Sequence, residues 1–439
     1  SAKRSMARIR KLPRPRSTQL LVAVGLLHGA AGLRCLGGVL RPAPRASMAS
    51  MVLSDAVRGG VVAREYDKFA DMEIIEDTNT ADVVRQLAAI DLGHNRCHQI
   101  TEDAPPDVDP FALVKDELAP LSVEVRAQLE AQHESLTDAA QHFFGAGNTR
   151  EGKRVRPVIV LLMGRATQIA GAPEEVLEAN ADRQRRLAAI TEIIHTASLI
   201  HDDVLDAADT RRGGLAVHKK HSNQAAVLSG DFLLARASVA LAKLRRTQVV
   251  REMAKSLEAL VQGELMQLKS SEEERLSLEY YLTKSYCKTA SLMAYSCKSA
   301  ALLSDHPLDS DVVIAAEKFG YHFGLAFQVI DDLLDFTESS DTLGKPGLQD
   351  MALGLSTAPV LYGIADEPDL RELVERKFSK KGDVAAAYAL VMKSNGLQKT
   401  KELATFHAQA AVDACCALPE GEARDGLVRL CHLVLSRSS

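Results

Sequence analysis

Two stretches of this 439-residue chain decide its fold and its chemistry: IHTASLIHDDVLD, residues 194–206, and GLAFQVIDDLLD, residues 324–335. Each combines apolar residues at helical spacing with three aspartates at its carboxyl end. The first and last aspartates of each cluster are four residues apart, so on a helix their side chains project from the same face. Carboxylates in apolar surroundings are unfavourable unless a partner neutralises them. The pattern therefore predicts a bound cation at each cluster.

A divalent metal ion that binds phosphate explains this pattern better than a solvated acidic surface does. Mg²⁺ takes one or two carboxylates, keeps some water, and completes its shell with substrate phosphate oxygens. A single cluster is also compatible with a solvated acidic face, but here the neighbours of the aspartates are apolar and there are two clusters. If both clusters face one cavity, they form a Mg²⁺ site for a diphosphate. The carboxylates concerned are Asp202, Asp203, Asp206, Asp331, Asp332 and Asp335.

Basic residues stand at several places where a diphosphate needs them. The segment GKRVRP, residues 152–157, holds three cations ahead of a helical run, and its glycine permits close backbone approach. Arg offers a bidentate fork for phosphate oxygens, and Lys offers a compact charge. One basic pair alone is more often a surface feature, so the combination carries the argument. The other candidates are Arg211, Arg212, Lys288, Thr289 and Lys345.

From about residue 110 onward, nearly the whole chain has helical periodicity. Alternating patterns typical of strands are scarce, and Gly and Pro fall between the helical runs. The sequence therefore predicts one all-α domain, residues 106–439, which is large for a single domain and fits helices that enclose a deep central cavity. Residues 61–105 are predicted to be a flexible linker or tail.

The first 54 residues contain ten Lys and Arg and no acidic residue, a composition typical of organelle-targeting segments. We therefore expect residues 1–60 to be a targeting segment, with the mitochondrion as first choice and a plastid as the alternative. The apolar run at residues 20–33 is short for a membrane span, which needs about 20 residues. The rest of the chain is acidic and lacks a basic face with interleaved aromatic residues, which argues against a nucleic-acid partner.

The seven cysteines are scattered and form no CxxC pair, so the sequence indicates neither a disulfide framework nor a zinc ribbon. Reduced thiols are the expectation for a protein inside the cell. His94, Cys97 and His98 stand close together, but no further ligand set is evident nearby, which disfavours a tetrahedral zinc site.

With these residues assembled, the chain from about residue 110 to its end resembles the trans-type polyprenyl diphosphate synthases, most closely the eukaryotic long-chain solanesyl and decaprenyl enzymes. The resemblance implies a helical bundle of the isoprenoid synthase type. It also implies an Mg²⁺-dependent prenyltransferase whose product becomes the side chain of ubiquinone or plastoquinone. The motifs that carry it are GKRVRP at 152–157, HDDVLD at 201–206, LSGDFLL at 228–234, KTASL at 288–292 and the segment 324–335.

The resemblance also implies a function for each matched residue. Mg²⁺ would bind to Asp202, Asp206 and Asp331, supported in catalysis by Asp203, Asp332 and Asp335. The diphosphate of isopentenyl diphosphate would bind beside Gly152, to Lys153, Arg156, His195 and Arg212. The allylic diphosphate would bind to Arg211, Lys288, Thr289, Gln328 and Lys345.

The residues one turn before Asp202 bear on product length. Ala197 and Ser198 lie on the same side of the helix as that aspartate. In the family, bulky residues at these positions close the end of the product tunnel and give short products. Two small residues leave the tunnel open, and by resemblance this predicts a product on the order of eight to ten isoprene units. The product would run along the helix face that these residues share with Asp202.

Two other functions compete with this one. A terpene cyclase would share one Asp-rich motif and would not need the second diphosphate site. A non-catalytic subunit of a heteromeric prenyltransferase would carry eroded clusters, whereas both clusters are intact here. The resemblance further implies a dimer with an identical chain or a related subunit, and it leaves peripheral membrane association for product release open.

Overall fold

The structure of the chain is a computed structural model that describes residues 82, 84, 85, 97–128, 154–211, 214–337 and 348–437. The described part is helical almost throughout, which confirms the all-α prediction. Its β structure is a hairpin in which strand β1, Thr210–Arg211, pairs antiparallel with strand β2, Gly214–Leu215. The hairpin follows directly after the first aspartate cluster.

The helices fall into three groups along the chain. Up to the first aspartate cluster they are α1 (Pro110–Leu113), α2 (Lys115–Gln128), α3 (Val155–Ala166) and α4 (Glu174–Leu205). Between the clusters they are α5 (Val217–Lys220), α6 (Asn223–Lys243), α7 (Thr247–Leu268), α8 (Glu272–Arg275), α9 (Leu278–Ser285), a π-helix (Tyr286–Ala290) and α10 (Ser291–Leu303). From the second cluster onward they are α11 (Asp311–Thr337), α12 (Gln349–Ala352), α13 (Ala358–Gly363), α14 (Leu370–Glu375), α15 (Asp383–Lys393), α16 (Gly396–Cys415) and α17 (Glu422–Leu435).

Helix α11, which carries the second aspartate cluster, packs between α10 and α16. Two glycines one turn apart allow its backbone to approach its neighbours closely. A Cβ at Gly324 would lie 2.5 Å from the Cα of Ala290, and a Cβ at Gly320 would lie 2.6 Å from the Cα of Ala294. Since both distances are far below van der Waals contact, these glycines set the depth at which α11 packs and hence the position of the second cluster.

The π-helix carries two of the predicted substrate-binding residues, Lys288 and Thr289. Single π-helical turns inside α-helices are rare and frequently occur at functional sites. This turn packs on α7 and α11, and Gly263 of α7 makes room for it, since a Cβ there would lie 2.7 Å from Cγ of Lys288. The close packing directs the Lys288 side chain past α7 toward the first aspartate cluster.

A buried group of charges ties α7, α10 and α11 together. Nζ of Lys298 in α10 lies 3.2 Å from the carboxylate of Glu252 in α7 and 2.8 Å from that of Glu317 in α11. Burial opposes the charge of Glu252, but Lys298 and Lys255 outweigh this effect and lower its pKa. Removing one partner of a buried ion pair is strongly destabilising, so these contacts fix the register of the three helices.

The end of the predicted linker packs on the helical body. The N–H of the buried Ile100 donates to Oε1 of Gln409 at 2.9 Å, and Nε2 of the same glutamine donates to the carbonyl of His98 at 3.0 Å. His98 also lies against His432 of α17, with their Nε2 atoms 2.7 Å apart. Residues 98–100 therefore differ from the flexible linker that we predicted for 61–105. Helical periodicity does not detect a short non-helical segment that side-chain hydrogen bonds hold in place.

Cys97 and Cys416 form a disulfide, with their Cα atoms 5.5 Å apart. The expectation of reduced thiols is wrong for this pair, because two cysteines separated by 319 positions leave no local spacing signal. The free and buried cysteines of the described ranges are Cys287, Cys297, Cys415 and Cys431. Burial raises the pKa of the Cys287 thiol to about 12, which keeps it protonated and unreactive.

Replacing Cys97 by Ser should lower the free energy of unfolding of the oxidised protein by about 2–4 kcal/mol, because the disulfide closes a long loop. Denaturant unfolding measures this difference. A thiol reductant should weaken the wild-type protein to the level of Cys97→Ser and leave the variant itself unchanged, which is the control. If the reductant destabilised both proteins equally, or neither of them, the disulfide between Cys97 and Cys416 would not be the source of the stability difference.

Candidate active site

A cavity of about 490 Å³ brings the two aspartate clusters together. Asp202 and Asp206 reach it from the carboxyl end of α4, and Asp331 and Asp332 reach it from α11. Asp206 lies one residue beyond α4, where its N–H still donates to the carbonyl of Asp202 at 2.8 Å. The predicted substrate-binding residues that line the same cavity are Arg156, His195, Arg211, Lys288, Thr289 and Gln328.

Lys288 is the central cation of the first cluster. Its Nζ lies 3.2 Å from Oδ1 of Asp202 and 3.0 Å from Oε1 of Glu264 in α7. It also donates to Oε1 of Gln267 at 2.9 Å, and Nε2 of Gln267 donates to Asp206 at 3.3 Å. Burial opposes the charge of Lys288, but Asp202 and Glu264 outweigh it and raise the pKa of the lysine. The ammonium group therefore neutralises part of the carboxylate charge.

Asp203, the middle aspartate of the first cluster, is not among the residues that line the cavity. Its side chain is buried, and its Oδ1 accepts from Nε of Arg211 in the hairpin at 2.7 Å. Its Oδ2 is buried and has no hydrogen-bond partner within the described part of the chain. Burial raises the pKa of Asp203, although Arg211 opposes the rise. The pair holds Arg211 at the cavity, with Nη2 of the arginine 3.8 Å from Asp202.

Asp332, the middle aspartate of the second cluster, is buried in a chain of hydrogen bonds. Its Oδ2 accepts from the hydroxyl of Tyr281 at 2.5 Å, and its Oδ1 accepts from Nε2 of Gln328 at 2.8 Å. The hydroxyl of Thr289 donates in turn to Oε1 of Gln328 at 2.7 Å. Burial, with a contribution from the charge of Asp350, raises the pKa of Asp332 to about 8. The hydrogen bonds from Tyr281 and Gln328 oppose this rise in pKa but do not cancel it.

The other two aspartates of the second cluster have different surroundings. Oδ1 of Asp335 accepts from the backbone N–H groups of Leu348 at 3.1 Å and Gln349 at 3.3 Å, and Asp335 does not line the cavity. Asp331 lines the cavity and accepts from Nη1 of Arg437 at 2.7 Å. The structure therefore brings four of the six predicted carboxylates to the cavity. The remaining two hold the hairpin and the segment after residue 347 in place around it.

A second cavity, of about 530 Å³, adjoins the first. Arg156, His195 and Phe327 line both cavities, and Nη1 of Arg156 lies 3.0 Å from Nε2 of His195. The walls of the second cavity are rich in apolar side chains, among them Phe323 and Leu433. A cationic group at the junction of an acidic cavity and an apolar one suits a second molecule that carries both a diphosphate and a hydrocarbon.

The remaining predicted residues lie as follows. Ser198 lines the first cavity, and Ala197 beside it is fully buried on α4. His94, from the disfavoured zinc site, lies outside the described residues. The predicted substrate-binding residues that also lie outside them are Gly152, Lys153, Arg212 and Lys345.

Residues that sequence reasoning missed are mostly the partners of the predicted ones. Glu264 and Gln267 stand three positions apart on α7, a spacing that puts both on one helix face, and this was the available signal. No motif marks Tyr281 or Arg437, because their contacts join elements that are far apart in sequence.

The donor groups of the cavity suit Mg²⁺. Within the described ranges, no three His, Cys, Asp or Glu side chains are grouped closely enough to hold a metal ion unaided. Mg²⁺ needs only one or two carboxylates, since phosphate and water oxygens complete its shell. Burial, followed by the charge of Asp202, raises the pKa of Asp206, so added positive charge there is stabilising. The site therefore fits a Mg²⁺–diphosphate complex and is not a closed metal cage.

Comparison with known proteins gives a consistent result. The sequence model described as "Polyprenyl synthetase" matches residues 133–391. "Solanesyl-diphosphate synthase 1, mitochondrial" of Oryza sativa is 45% identical over 345 residues, which cover 76% of this chain and 79% of the relative. "Solanesyl diphosphate synthase 3, chloroplastic/mitochondrial" of Arabidopsis thaliana is 42% identical over 359 residues, which cover 79% and 84%. These names confirm the mitochondrial prediction, and the second includes the plastid alternative.

A solved structure shares the fold. It is the crystal structure of a polyprenyl synthase from Caulobacter crescentus complexed with calcium and isoprenyl diphosphate, with a TM-score of 0.66 and 30% identity. The likeness covers 75% of this chain and 97% of the other. The predicted helical bundle of the isoprenoid synthase type is thereby confirmed.

We expect the metal-free protein to lose stability as pH rises through the range in which Asp332 ionises. Its pKa rises from an ordinary value of 3.8 to about 8 on folding, so between these values the folded protein binds more protons than the unfolded chain. The free energy of unfolding then falls with rising pH. Asp332→Asn should remove this fall, and the variant should gain stability relative to the wild type as the pH approaches 8.

Denaturant unfolding at a series of pH values without metal measures this effect, with the exposed Asp309→Asn as control. A difference in stability between Asp332→Asn and wild type that stays constant with pH would show that the aspartate does not have a raised pKa.

Proposed function

The chain belongs to the polyprenyl synthetase family and is a prenyltransferase, and we propose that it adds isopentenyl diphosphate repeatedly to an allylic diphosphate, building the long all-trans side chain of a quinone. The observation that carries this proposal is the cavity in which two pairs of aspartates meet cations from several helices and the hairpin. The two relatives described above are solanesyl diphosphate synthases, and this supports a long product.

We assign the aspartate end of the cavity to the allylic diphosphate. Asp202, Asp206 and Asp331 would hold Mg²⁺, which when bound neutralises charge on the diphosphate leaving group. Lys288, 3.2 Å from Asp202, can turn to a diphosphate oxygen once that carboxylate has another partner. Arg211 lines the same cavity and offers a bidentate fork. The charge that develops as the C–O bond breaks would thus meet cations that are already in position.

We assign the junction of the two cavities to isopentenyl diphosphate. Arg156 and His195, 3.0 Å apart, would bind its diphosphate, together with Lys153 and Arg212 from outside the described residues. The apolar walls that meet there, including Phe327, suit the short hydrocarbon. They also limit the access of water, which would quench a carbocation.

The proposed reaction needs no side chain as a base. Cleavage of the allylic C–O bond leaves its electron pair on the diphosphate and creates an allylic cation. The double bond of isopentenyl diphosphate attacks this cation and forms the new C–C bond. Loss of a proton to the released diphosphate gives an allylic diphosphate that is one unit longer. The hydrogen-bond chain from Thr289 through Gln328 to Asp332 would hold the second cluster in place during this cycle.

We propose that the small residues before Asp202 allow the long product. Ala197 is fully buried on α4, and the hydroxyl of Ser198 is turned back to the carbonyl of His195, to which it donates at 2.8 Å. Both side chains are small, and Ser198 lines the first cavity, whereas Ala197 lies behind it in the core. The growing chain would pass them along the helix face they share with Asp202.

We also propose that α6 and α7 form the surface for a second subunit, either an identical chain or a related one. The two helices pack on each other, and both expose large apolar side chains, which mark interaction surfaces. Among the described helices, α6 is the one long and apolar enough to cross a membrane by length and composition, and its apolar stretch is only 33% buried. The exposed residues are Val227, Leu228, Val239, Val261, Leu265 and Leu268.

The purified protein should elongate farnesyl or geranylgeranyl diphosphate with isopentenyl diphosphate and Mg²⁺. Asp202→Asn should lower the rate by at least about a hundredfold, as expected for losing one group that stabilises transition-state charge. The exposed Asp309→Asn is the control and should keep the wild-type rate. Labelled isopentenyl diphosphate incorporated into extracted lipid measures both. No elongation by the wild type, alone or with a related subunit, would overturn the proposal, and a cyclic product would indicate a terpene cyclase.

Ala197→Phe should shorten the product, because a bulky ring next to the first cluster blocks the growing chain while the diphosphate sites stay intact. Mass spectrometry of the extracted lipid measures the length. Glu178→Phe, exposed near the start of the same helix, is the matched control and should leave the length unchanged. Products of wild-type length from Ala197→Phe would refute this account of the tunnel.

A further inference from the structure

Arg437, which follows α17, reaches the second aspartate cluster. Its Nη1 donates to Oδ1 of Asp331 at 2.7 Å. Its guanidinium group lies over the ring of Phe327, 4.4 Å from the ring centroid. Arg437 lies beyond residues 133–391, the span that the family's sequence model matches. Two independent contacts, one ionic and one with an aromatic face, therefore place this side chain at the site.

The contact also joins the two cavities. Asp331 lines the aspartate cavity, Arg437 lines the adjoining cavity, and Phe327 lines both. Helix α17 packs on α16, α3 and α11, so the arginine is presented from the helical body. Both members of the pair are partly exposed, 26% for the arginine side chain and 39% for the aspartate. An ion entering from solvent can therefore reach them.

The charges indicate what the pair does. Asp331 is one of the three carboxylates assigned to Mg²⁺ above, and Arg437 already uses its Oδ1. A metal ion bound to that oxygen would bring a second cation against the guanidinium group, and like charges at such short range repel strongly. Ion pairs between partly exposed groups are weak, so this one can be broken and re-formed.

We propose that Arg437 competes with the metal ion for Asp331. It is a positioning residue, which neutralises the carboxylate and holds it at the cavity in the metal-free protein and leaves it when a metal–diphosphate complex arrives. Metal capture at the second cluster then requires the segment after α17 to release Asp331. This inference rests on the proposed function, in that it takes Asp331 as a metal ligand.

Binding of Mn²⁺ in the presence of inorganic diphosphate, followed by electron paramagnetic resonance without turnover, tests the competition. Arg437→Gln should tighten binding of the ion at the second cluster roughly two- to fivefold, the effect expected for losing a weak competing ion pair. Arg437→Lys should lie between this variant and wild type, since it keeps the charge but loses the planar fork. Arg429→Gln, in the preceding helix α17, controls for a general loss of positive charge and should bind as wild type does.

A double-mutant cycle separates the direct contact from long-range charge. In an Asp331→Asn background, Arg437→Gln should leave Mn²⁺ binding unchanged. The inference is overturned if Arg437→Gln weakens or does not alter binding in the wild-type background, or if its effect persists in the Asp331→Asn background. Chain elongation is assayed separately. If elongation fails while the cycle gives the expected coupling, the proposed function is rejected and the competition stands.

Discussion

Carboxylates held in apolar surroundings are the constraint on which the rest of this structure depends. Charge is unfavourable in such surroundings unless it is paired or hydrogen-bonded, and burial raises the pKa of Asp203, Asp206 and Asp332. Each of the four aspartates at the cavity has at least one partner that reduces this penalty. These partners are Lys288, Gln267, Arg437 and Tyr281.

The packing of the helices places these partner side chains next to the aspartates. The glycines of α11 let its backbone pack against the π-helix and α10, and the Lys298 ion group fixes α7, α10 and α11 in register. The π-helix then presents Lys288 to Asp202. In the proposed function these partners are exchanged, because a metal–diphosphate complex would bring both positive charge for the aspartates and negative charge for the cations. The same arrangement would then account both for the stability of the free protein and for the proposed binding of a metal–diphosphate complex.

Sequence reasoning succeeded where the signal was local. Helical periodicity predicted the all-α fold, and the four-residue spacing predicted that Asp202 and Asp206 share a face. It did not predict the orientation of Asp203 or Asp335, because spacing gives a helix face but not which neighbouring element meets it. Asp203 turns to the hairpin, and Asp335 turns to backbone N–H groups that follow residue 347.

The sequence also could not predict contacts between segments that are far apart in the chain. The Cys97–Cys416 disulfide and the Arg437–Asp331 pair join segments that only the tertiary fold brings together.

The central claim is that metal and diphosphate bind jointly. Thermal unfolding with Mg²⁺ alone, with inorganic diphosphate alone and with both together tests this claim most directly. We predict that the midpoint temperature of unfolding rises slightly with Mg²⁺ or diphosphate alone and strongly with the two together, because ligands that bind the folded state stabilise it. A rise with Mg²⁺ alone equal to that with both, or no rise with both, would contradict the account.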